Sequence, residues 1–379
     1  MKIYAVGGAV RDELLGLRVS DRDYVVVGGT PEEMERLGYK PVGKDFPVFL
    51  HPRTHEEYAL ARTERKIARG YKGFRIHAAP DVTLEQDLER RDLTINAMAR
   101  DESGKLVDPF GGTADLERRL LRHVSPAFVE DPVRILRVAR IAARFGFAVA
   151  PETMALMRQM VASGEAGALV PERVWQEFSR GLMEGEAALM LAVLAEAGAL
   201  GKLLSELALA FEEGRPANDA SRALVRSLEC AAAERLALAP RFALLGIGAP
   251  SVDALGALCE RLRAPSECRD LALLAHRHFA MIGAASTLPA PDLLTLLERC
   301  DAFRRPERFE ELLALCACAE RGRRGWGHAP YLPAAMLRRA LAAAAGVDAG
   351  EIAGRAEKSE IAARIRRARV MAIERLSRP

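Results

Sequence analysis

Zinc-binding cysteine spacing is missing from the 379 residues. Cys230, Cys259, Cys268, Cys300, Cys316 and Cys318 lie in Ala/Leu-rich stretches, with no Cys-x-x-Cys pair and no histidine at ligand spacing. They read as buried or idle thiols. A dominant charge is also missing: 55 Lys and Arg stand against 52 Asp and Glu. The formal net charge of +3 neither demands nor excludes a nucleic-acid partner. The opening stretch MKIYAVGGAVRDELLG has one lysine, a short apolar run and then charges. It fits neither a signal peptide nor a membrane span, so a reducing cytoplasm is the expected compartment. No internal repeat stands out. What is present is an ordinary balance, 50% hydrophobic, with enough length for several modules in series.

Up to about residue 120 the strand-like runs IYAV, YVVV, VFL and EEYALAR are punctuated by Gly, Pro and Asp, with short helical segments between them. From Ser125 onward alanine and leucine dominate at helical spacing, so the remainder is expected to be almost entirely helical. Breaks at GYKG, GEAG, EEGRPAND, GIGAPS, LPAPD and RGRRGWGHAP divide it into packing units. Two charge patterns stand out. Arg134, Arg137, Arg140 and Arg144 recur at three or four residues, on one helical stripe, and like charges so placed call for something anionic opposite. From Arg321 to Arg378 arginine far exceeds acid. That tail reads either as a surface for a phosphate backbone or as a solvated helix face.

Four motifs carry chemistry. Gly7-Gly8-Ala9-Val10-Arg11-Asp12 follows the strand IYAV and opens a helix; the glycines permit close approach to a phosphate and Arg11 supplies charge, although a ligand-free strand-to-helix turn looks the same. Asp21-Arg22-Asp23 opens YVVV, and residues two apart on a strand share a face. Two adjacent carboxylates repel unless a cation bridges them, so the pair suits Mg²⁺ and nucleotide phosphates; the bland alternative is a surface turn. In Arg90-Arg91-Asp92-Leu93-Thr94-Ile95-Asn96-Ala97, Leu93 and Ala97 can face a core while Arg91, Asp92 and Asn96 stay available to a ligand. In Glu130-Asp131-Pro132-Val133-Arg134, Asp131 and Arg134 lie one turn apart at a helix start, which is either a binding pair or a cap with an intrahelical ion pair.

Taken together, GGAVRD with DRD, RRDLTINA, DPFGG with ADL, EDPVRILRVAR and PERVWQE occur in an order and spacing that resemble the class II CCA-adding enzymes of the polymerase β superfamily, over roughly the first 210 residues. The resemblance implies an α+β fold with a small nucleotidyltransferase head on a mixed sheet, followed by all-α neck, body and tail. The expected divisions are a head at 1–122, a neck with base recognition at 123–180, a body at 181–290 and a basic, tRNA-binding tail at 291–379.

It also implies an activity, the template-independent addition of C, C and A to the tRNA 3′ end from CTP and ATP. Asp21 and Asp23 would be the catalytic, metal-holding pair for Mg²⁺. Gly8, Arg11 and Arg91 would grip the triphosphate, with Arg137 and Arg140 reaching phosphates or the tRNA end. Glu57 occupies a position where superfamily members can supply a further carboxylate. Asp131 and Arg134 would read the base, because cytosine and adenine both offer an exocyclic N–H donor beside a ring acceptor, whereas guanine and uracil present the opposite sense. The segment ARTERKIARGYKGF resembles the flexible loop linked to ATP addition.

Long bacterial relatives often carry a His-Asp phosphohydrolase site after the neck. This chain has no His-Asp dipeptide, and His276 with His278 cannot assemble that site alone, so a catalytically silent body is expected. The alternatives are an A-adding or CC-adding specialist, a poly(A) polymerase of the same superfamily, or a non-catalytic tRNA-binding factor; no obligate protein partner is inferred.

Overall fold

The computed structural model describes residues 1–19, 21–42, 47–66, 74–164, 169–207, 209–325, 330–355 and 357–377. The chain forms two compact units, Met1–Glu177 with Leu189–Lys202, and Phe178–Ala188 with Leu203–Pro379.

In the first unit, β1 (Lys2–Val6) leads through a glycine turn into α1 (Gly8–Leu14), followed by β2 (Asp23–Val27) and α2 (Pro31–Arg36). Next come β3 (Lys40–Val42), β4 (Val48–Leu50), β5 (Glu57–Leu60), β6 (Arg62–Lys66) and β7 (Phe74–Ala78). Then α3 (Leu84–Glu89), β8 (Ala99–Asp101), β9 (Leu106–Val107) and α4 (Gly112–Glu117) close the sheet region. Seven strands form one mixed sheet in the order β3-β4-β5-β2-β1-β8-β9. Within this sheet only β2 and β5 run parallel; β6 and β7 pair separately as an antiparallel ribbon. The expected α+β head is therefore what forms. Of the flexible loop read from the sequence, residues 67–73 lie outside the described residues.

The alternation of β-branched residues explains why this sheet is covered on both sides. Val25 packs with Val6, Leu88 and Ala99, while its neighbour Val26 packs oppositely with Met34, Phe49 and Leu60. Capping boxes start the two covering helices, Thr30 with Glu33 for α2 and Thr83 with Gln86 for α3. Each cap is worth about 1 kcal/mol.

Helices α5 (Val133–Phe145), α6 (Pro151–Ala162), α7 (Pro171–Met183), α8 (Ala187–Glu196) and α9 (Leu200–Leu203) follow. Ile135, Leu136, Val138, Ala139 and Ala142 bury one face of α5, and Gly146 stops it in a left-handed cap with φ 65°. That packing turns the arginine stripe outward along the opposite face.

The second unit contains α10 (Asp219–Ala233), α11 (Leu238–Gly246), α12 (Val252–Arg261), α13 (Ser266–Gly283), α14 (Ala290–Arg299), α15 (Pro306–Arg324), α16 (Leu332–Ala345), α17 (Ala349–Gly354) and α18 (Ile361–Glu374). Helices α10 and α15 come together at Gly322, where a Cβ would stand 2.2 Å from Ser227 Oγ and 2.4 Å from the Ala223 carbonyl. All six cysteines are free and buried here, matching the expectation of thiols packed in a core. Among the described residues no helix is long and apolar enough to cross a membrane.

Candidate active site

The turn after β1 needs glycine for two reasons. Gly7 has φ 72°, and a Cβ there would come within 2.8 Å of Arg91 Nη1. Arg91 is further held by Asp87, whose carboxylate accepts from Arg91 Nη2 at 3.3 Å and from Arg90 Nη2 at 2.8 Å. Arg11 donates from Nε to Asp12 at 2.8 Å and from Nη1 to Asn96 Oδ1 at 2.5 Å. Burial lowers the Arg11 and Arg91 guanidinium pKa from the ordinary value, against the opposing pull of Asp12 and Asp87. Both remain cations, desolvated beside a glycine turn, where a phosphate interacts more strongly than at the surface.

Asp23 is the first residue of β2, opposite Val6 of β1 and beside Glu57 of β5. It therefore stands at the mouth of the Gly7 turn. Asp21 precedes the strand rather than lying on it. The same-face argument from strand periodicity thus places only one of the pair on β2. The two carboxylates still interact: burial raises the Asp23 pKa, Arg91 opposes this and the Asp21 charge adds to it. Among the described residues no group of three or more His, Cys, Asp or Glu is arranged to hold a metal, so Glu57 is not brought into a three-carboxylate site. Two carboxylates beside a phosphate turn nonetheless fit a hard divalent cation whose remaining ligands come from substrate oxygens and water.

On the α5 side, Asp131 accepts from the Val133 amide at 3.1 Å, as a helix-start residue does. Its carboxylate is gripped by Arg173 of α7, Nη1 to Oδ1 at 3.2 Å and Nη2 to Oδ2 at 2.8 Å. Arg134 donates to the carbonyls of Ala127 at 3.0 Å and Arg90 at 2.6 Å. Arg137 meets Asp92 at 2.8 Å, Arg140 meets Glu177 at 2.6 Å and Arg144 meets Asp12 at 2.8 Å. The anions opposite the arginine stripe are thus, in part, the protein's own carboxylates. Asp92 also accepts from Asn96 Nδ2 at 3.0 Å. Burial would push its carboxyl up, but Arg137, Asn96 and Arg134 hold it well below the usual carboxylate range.

These groups line one cavity of about 540 Å³ in the first unit. Gly8, Arg11, Asp23, Arg91, Asp131, Arg134, Arg137 and Arg140 all face it; among the described residues, the candidates Asp21 and Glu57 are outside its lining. Nine arginines line it against three aspartates, and Asp12, Asp87 and Glu177 just behind the lining pair with several of them, which leaves an excess of positive charge suited to a polyphosphate. Sequence reasoning missed Arg173, Glu177 and Asp12 as members of the network. The signal was present in PERVWQE, where Arg173 and Glu177 are four apart and share a helix face.

A family model described as "Poly A polymerase head domain" matches residues 3–122, and one described as "Probable RNA and SrmB- binding site of polymerase A" matches residues 146–211. The chain is 53% identical to the Multifunctional CCA protein of Nitrosomonas europaea, with 100% of this chain and 98% of that one covered. It is 55% identical to the Multifunctional CCA protein of Burkholderia pseudomallei, with 98% of each covered. The fold is similar to that of the Bacillus stearothermophilus CCA-adding enzyme in complex with CTP, at a TM-score of 0.64 and 25% identity over 99% of this chain and 93% of that one. More than half the residues are identical along the full length of such relatives, and the chain carries a polymerase-type head beside an arginine-lined cavity: it belongs to the multifunctional CCA proteins, the CCA-adding nucleotidyltransferases.

Proposed function

We infer that this chain builds and repairs the tRNA 3′ terminus by adding C, C and A from CTP and ATP, one pyrophosphate leaving at each step. The cavity carries the reading, because a site with nine arginines and the Asp23 carboxylate at one side is built for a triphosphate approached by a metal-assisted nucleophile. In each step the RNA 3′ hydroxyl oxygen bonds to the α-phosphorus, the bond to the β-phosphate bridging oxygen breaks, and the hydroxyl proton leaves. Arg11 and Arg91 hold the triphosphate across the Gly7-Gly8 turn and orient it for in-line attack. Enzymes of this family use divalent metal ions; Mg²⁺ is the ion proposed here, held by Asp21 and Asp23, and when bound it supplies charge stabilisation to the transferring phosphoryl group.

Asp131 and Arg134 read the base. Their placement supports this: Arg173 and the Ala127 and Arg90 carbonyls hold both side chains still before any nucleotide arrives. Arg137 and Arg140 steer phosphates along the same wall. In this reading residues 1–122 are the transferase head, 123–180 the base-reading neck, 181–290 a body without hydrolytic metal chemistry, and 291–379 a tRNA-holding tail. The compartment is the cytoplasm, where tRNA matures.

The test uses purified protein, tRNA lacking its CCA end, and each nucleotide alone and combined, with products sized on a gel. CTP alone should extend the RNA by two residues, and CTP with ATP by three. A lengthening A tail would make the chain a poly(A) polymerase, an arrest at CC or a need for pre-added CC would make it a specialist, and no extension would remove the transferase reading.

A further inference from the structure

A second hollow of about 550 Å³ lies in the first unit, lined by Leu15, Leu17, Arg18, Arg119, Arg144, Phe145 and Phe147. Its volume falls within the roughly 300–1,000 Å³ of small-ligand sites. It shares Arg144 with the nucleotide cavity. The half-buried Phe145 joins the two as well, its ring lying 4.8 Å from the Arg11 guanidinium and 4.9 Å from that of Arg144. Along the chain, Arg18 stands three residues before Asp21. Nothing described so far uses this place.

We propose that this hollow holds the unpaired 3′ end of the RNA substrate, the nucleotides just before the reacting hydroxyl. The proposal rests on the transferase reading above. Its chemistry is that of a single-strand site, an apolar floor made by the exposed Leu17 and the edge of the half-buried Phe145, with Phe147 buried beneath, and cations for the backbone. Phe145 and Phe147 stand 5.5 Å apart, and Leu17 is exposed beside them. Arg18 is exposed and makes no hydrogen bond or ion pair among the described residues. Arg119, also exposed, meets only the Phe145 carbonyl at 3.4 Å and the Phe147 ring at 5.7 Å, with no carboxylate partner among the described residues.

Two cations without anions among the described residues, around a floor to which no described acidic side chain contributes, suit phosphate. They suit a free triphosphate less well, since among the described residues no carboxylate lines the hollow to bring in the accompanying metal. The shared Arg144 and the Arg11–Phe145–Arg144 contacts join this hollow to the nucleotide cavity that Asp23 lines, so a 3′ end held here lies next to the cavity it has to enter.

The experiment compares wild type with Arg18→Ala, Arg18→Glu and Arg119→Ala in the full-length protein. It reads the affinity for tRNA lacking CCA across a salt series, KM for tRNA, KM for CTP, kcat and melting temperature. Arg18→Ala removes a side chain with no bonding partner among the described residues, so it remains informative should Arg119→Ala fail to fold. Expected are a rise in tRNA KM of about threefold for Arg18→Ala and about tenfold for Arg18→Glu, with a salt slope shallower by about 0.7 per lost contact. KM for CTP and kcat should stay within about twofold, since uniform binding of one substrate moves its own KM. Unchanged tRNA affinity and slope in folded variants would overturn the proposal, and so would a rise confined to KM for CTP, which would place a free nucleotide here. Direct tRNA affinity separates the two readings: wild type that binds tRNA but adds nothing removes the transferase reading, while the effect of Arg18 on that affinity still judges the hollow.

Discussion

Arg173 grips Asp131 through two roughly parallel hydrogen bonds, and the planar fork fixes both the position and the tilt of the carboxylate. If Asp131 reads the base, Arg173 is its positioning residue. Arg173→Ala should lower kcat/KM for CTP and ATP by about thirtyfold, equivalent to ~2 kcal/mol, and raise incorporation of GTP and UTP relative to them. Arg173→Lys should not restore discrimination, because an ammonium cannot make the fork. Steady-state incorporation of the four nucleotides checks this, and an unaltered selectivity ratio would remove Arg173 from base reading. Asp92 has a structural role beyond the one its sequence context suggests. Sequence context makes it available to a ligand together with Asn96, and both do line the cavity, but they also bond Arg137 and Arg11. Arg137 lies 45 residues further along the chain, so no local pattern could pair them. Since the folded-state carboxyl is held below its unfolded value near 4, the stabilisation is fully present above that value and is lost as pH falls through it toward the folded one. Asp92→Asn should cost about 2 kcal/mol at pH 7, at the low end for a broken buried pair because Arg137 is partly exposed and keeps Glu177. Thermal unfolding should show that gap unchanged from pH 7 to about 5 and narrowing from about 5 to 3. A gap that widens toward acid would refute the assignment.

The element whose sequence spoke most clearly is α5, where the helix start at Asp131-Pro132, the buried stripe and the arginine stripe were all legible from periodicity. What stood opposite those arginines was not, because Asp92, Glu177 and Asp12 come from three separate segments. The same limit applies at β2, where period-two reasoning put Asp21 on a strand that begins at Asp23. Glycine 322 shows a further kind of information that only packing reveals. It sits inside α15 in an unremarkable helical run, but its missing Cβ is what allows α10 to approach. The neighbouring atoms are the Ser227 hydroxyl and a helix carbonyl, and a carbonyl cannot rotate away. Gly322→Ala should therefore destabilise the chain by about 2 kcal/mol or more, although alanine is the better helix former, and calorimetry or denaturant unfolding reads this directly. Catalysis by the second unit is a separate question. His276 Nδ1 lies 2.9 Å from the Gly246 carbonyl and His278 is pushed toward its neutral form by burial, and neither belongs to a metal-holding group among the described residues. No hydrolysis of 2′,3′-cyclic nucleotides or phosphate monoesters with Mg²⁺, Mn²⁺ or Ni²⁺ is expected. Turnover that persists in Asp21→Ala would show a hydrolytic centre in these helices.

For the molecule as a whole, the tail is where composition and structure diverge most. The excess of arginine from Arg321 onward reads either as a phosphate-binding surface or as a solvated helix face, and many of these side chains already have acids. Arg338 bonds Glu310, Arg364 bonds Glu360, and Arg366 bonds Glu298 and Thr295. Arg369 lies over the Phe303 ring at 4.6 Å. Pairs such as Arg366 with Glu298, 68 residues apart, cannot be seen by counting charges along a segment. Arg367 and Arg375 are different, being exposed without a hydrogen bond or ion pair among the described residues. If the tail holds tRNA by its backbone, these two supply the contacts, since a cation that must first leave a carboxylate gains less from a phosphate. Arg367→Ala with Arg375→Ala should weaken tRNA binding and flatten its salt dependence by roughly one unit of slope per contact, leaving folding intact. Arg366→Ala should instead lower the melting temperature, because Glu298 loses its partner, and change the salt slope less. Nucleotide choice should be the same in all of them, because Asp131 and Arg134, the proposed base readers, belong to the other compact unit. The measurements are tRNA affinity across a salt series, melting temperature, and incorporation of CTP, ATP, GTP and UTP. An unaltered slope in the Arg367 and Arg375 double variant makes α18 a solvated face; a shift in nucleotide choice would mean that base reading extends beyond Asp131 and Arg134.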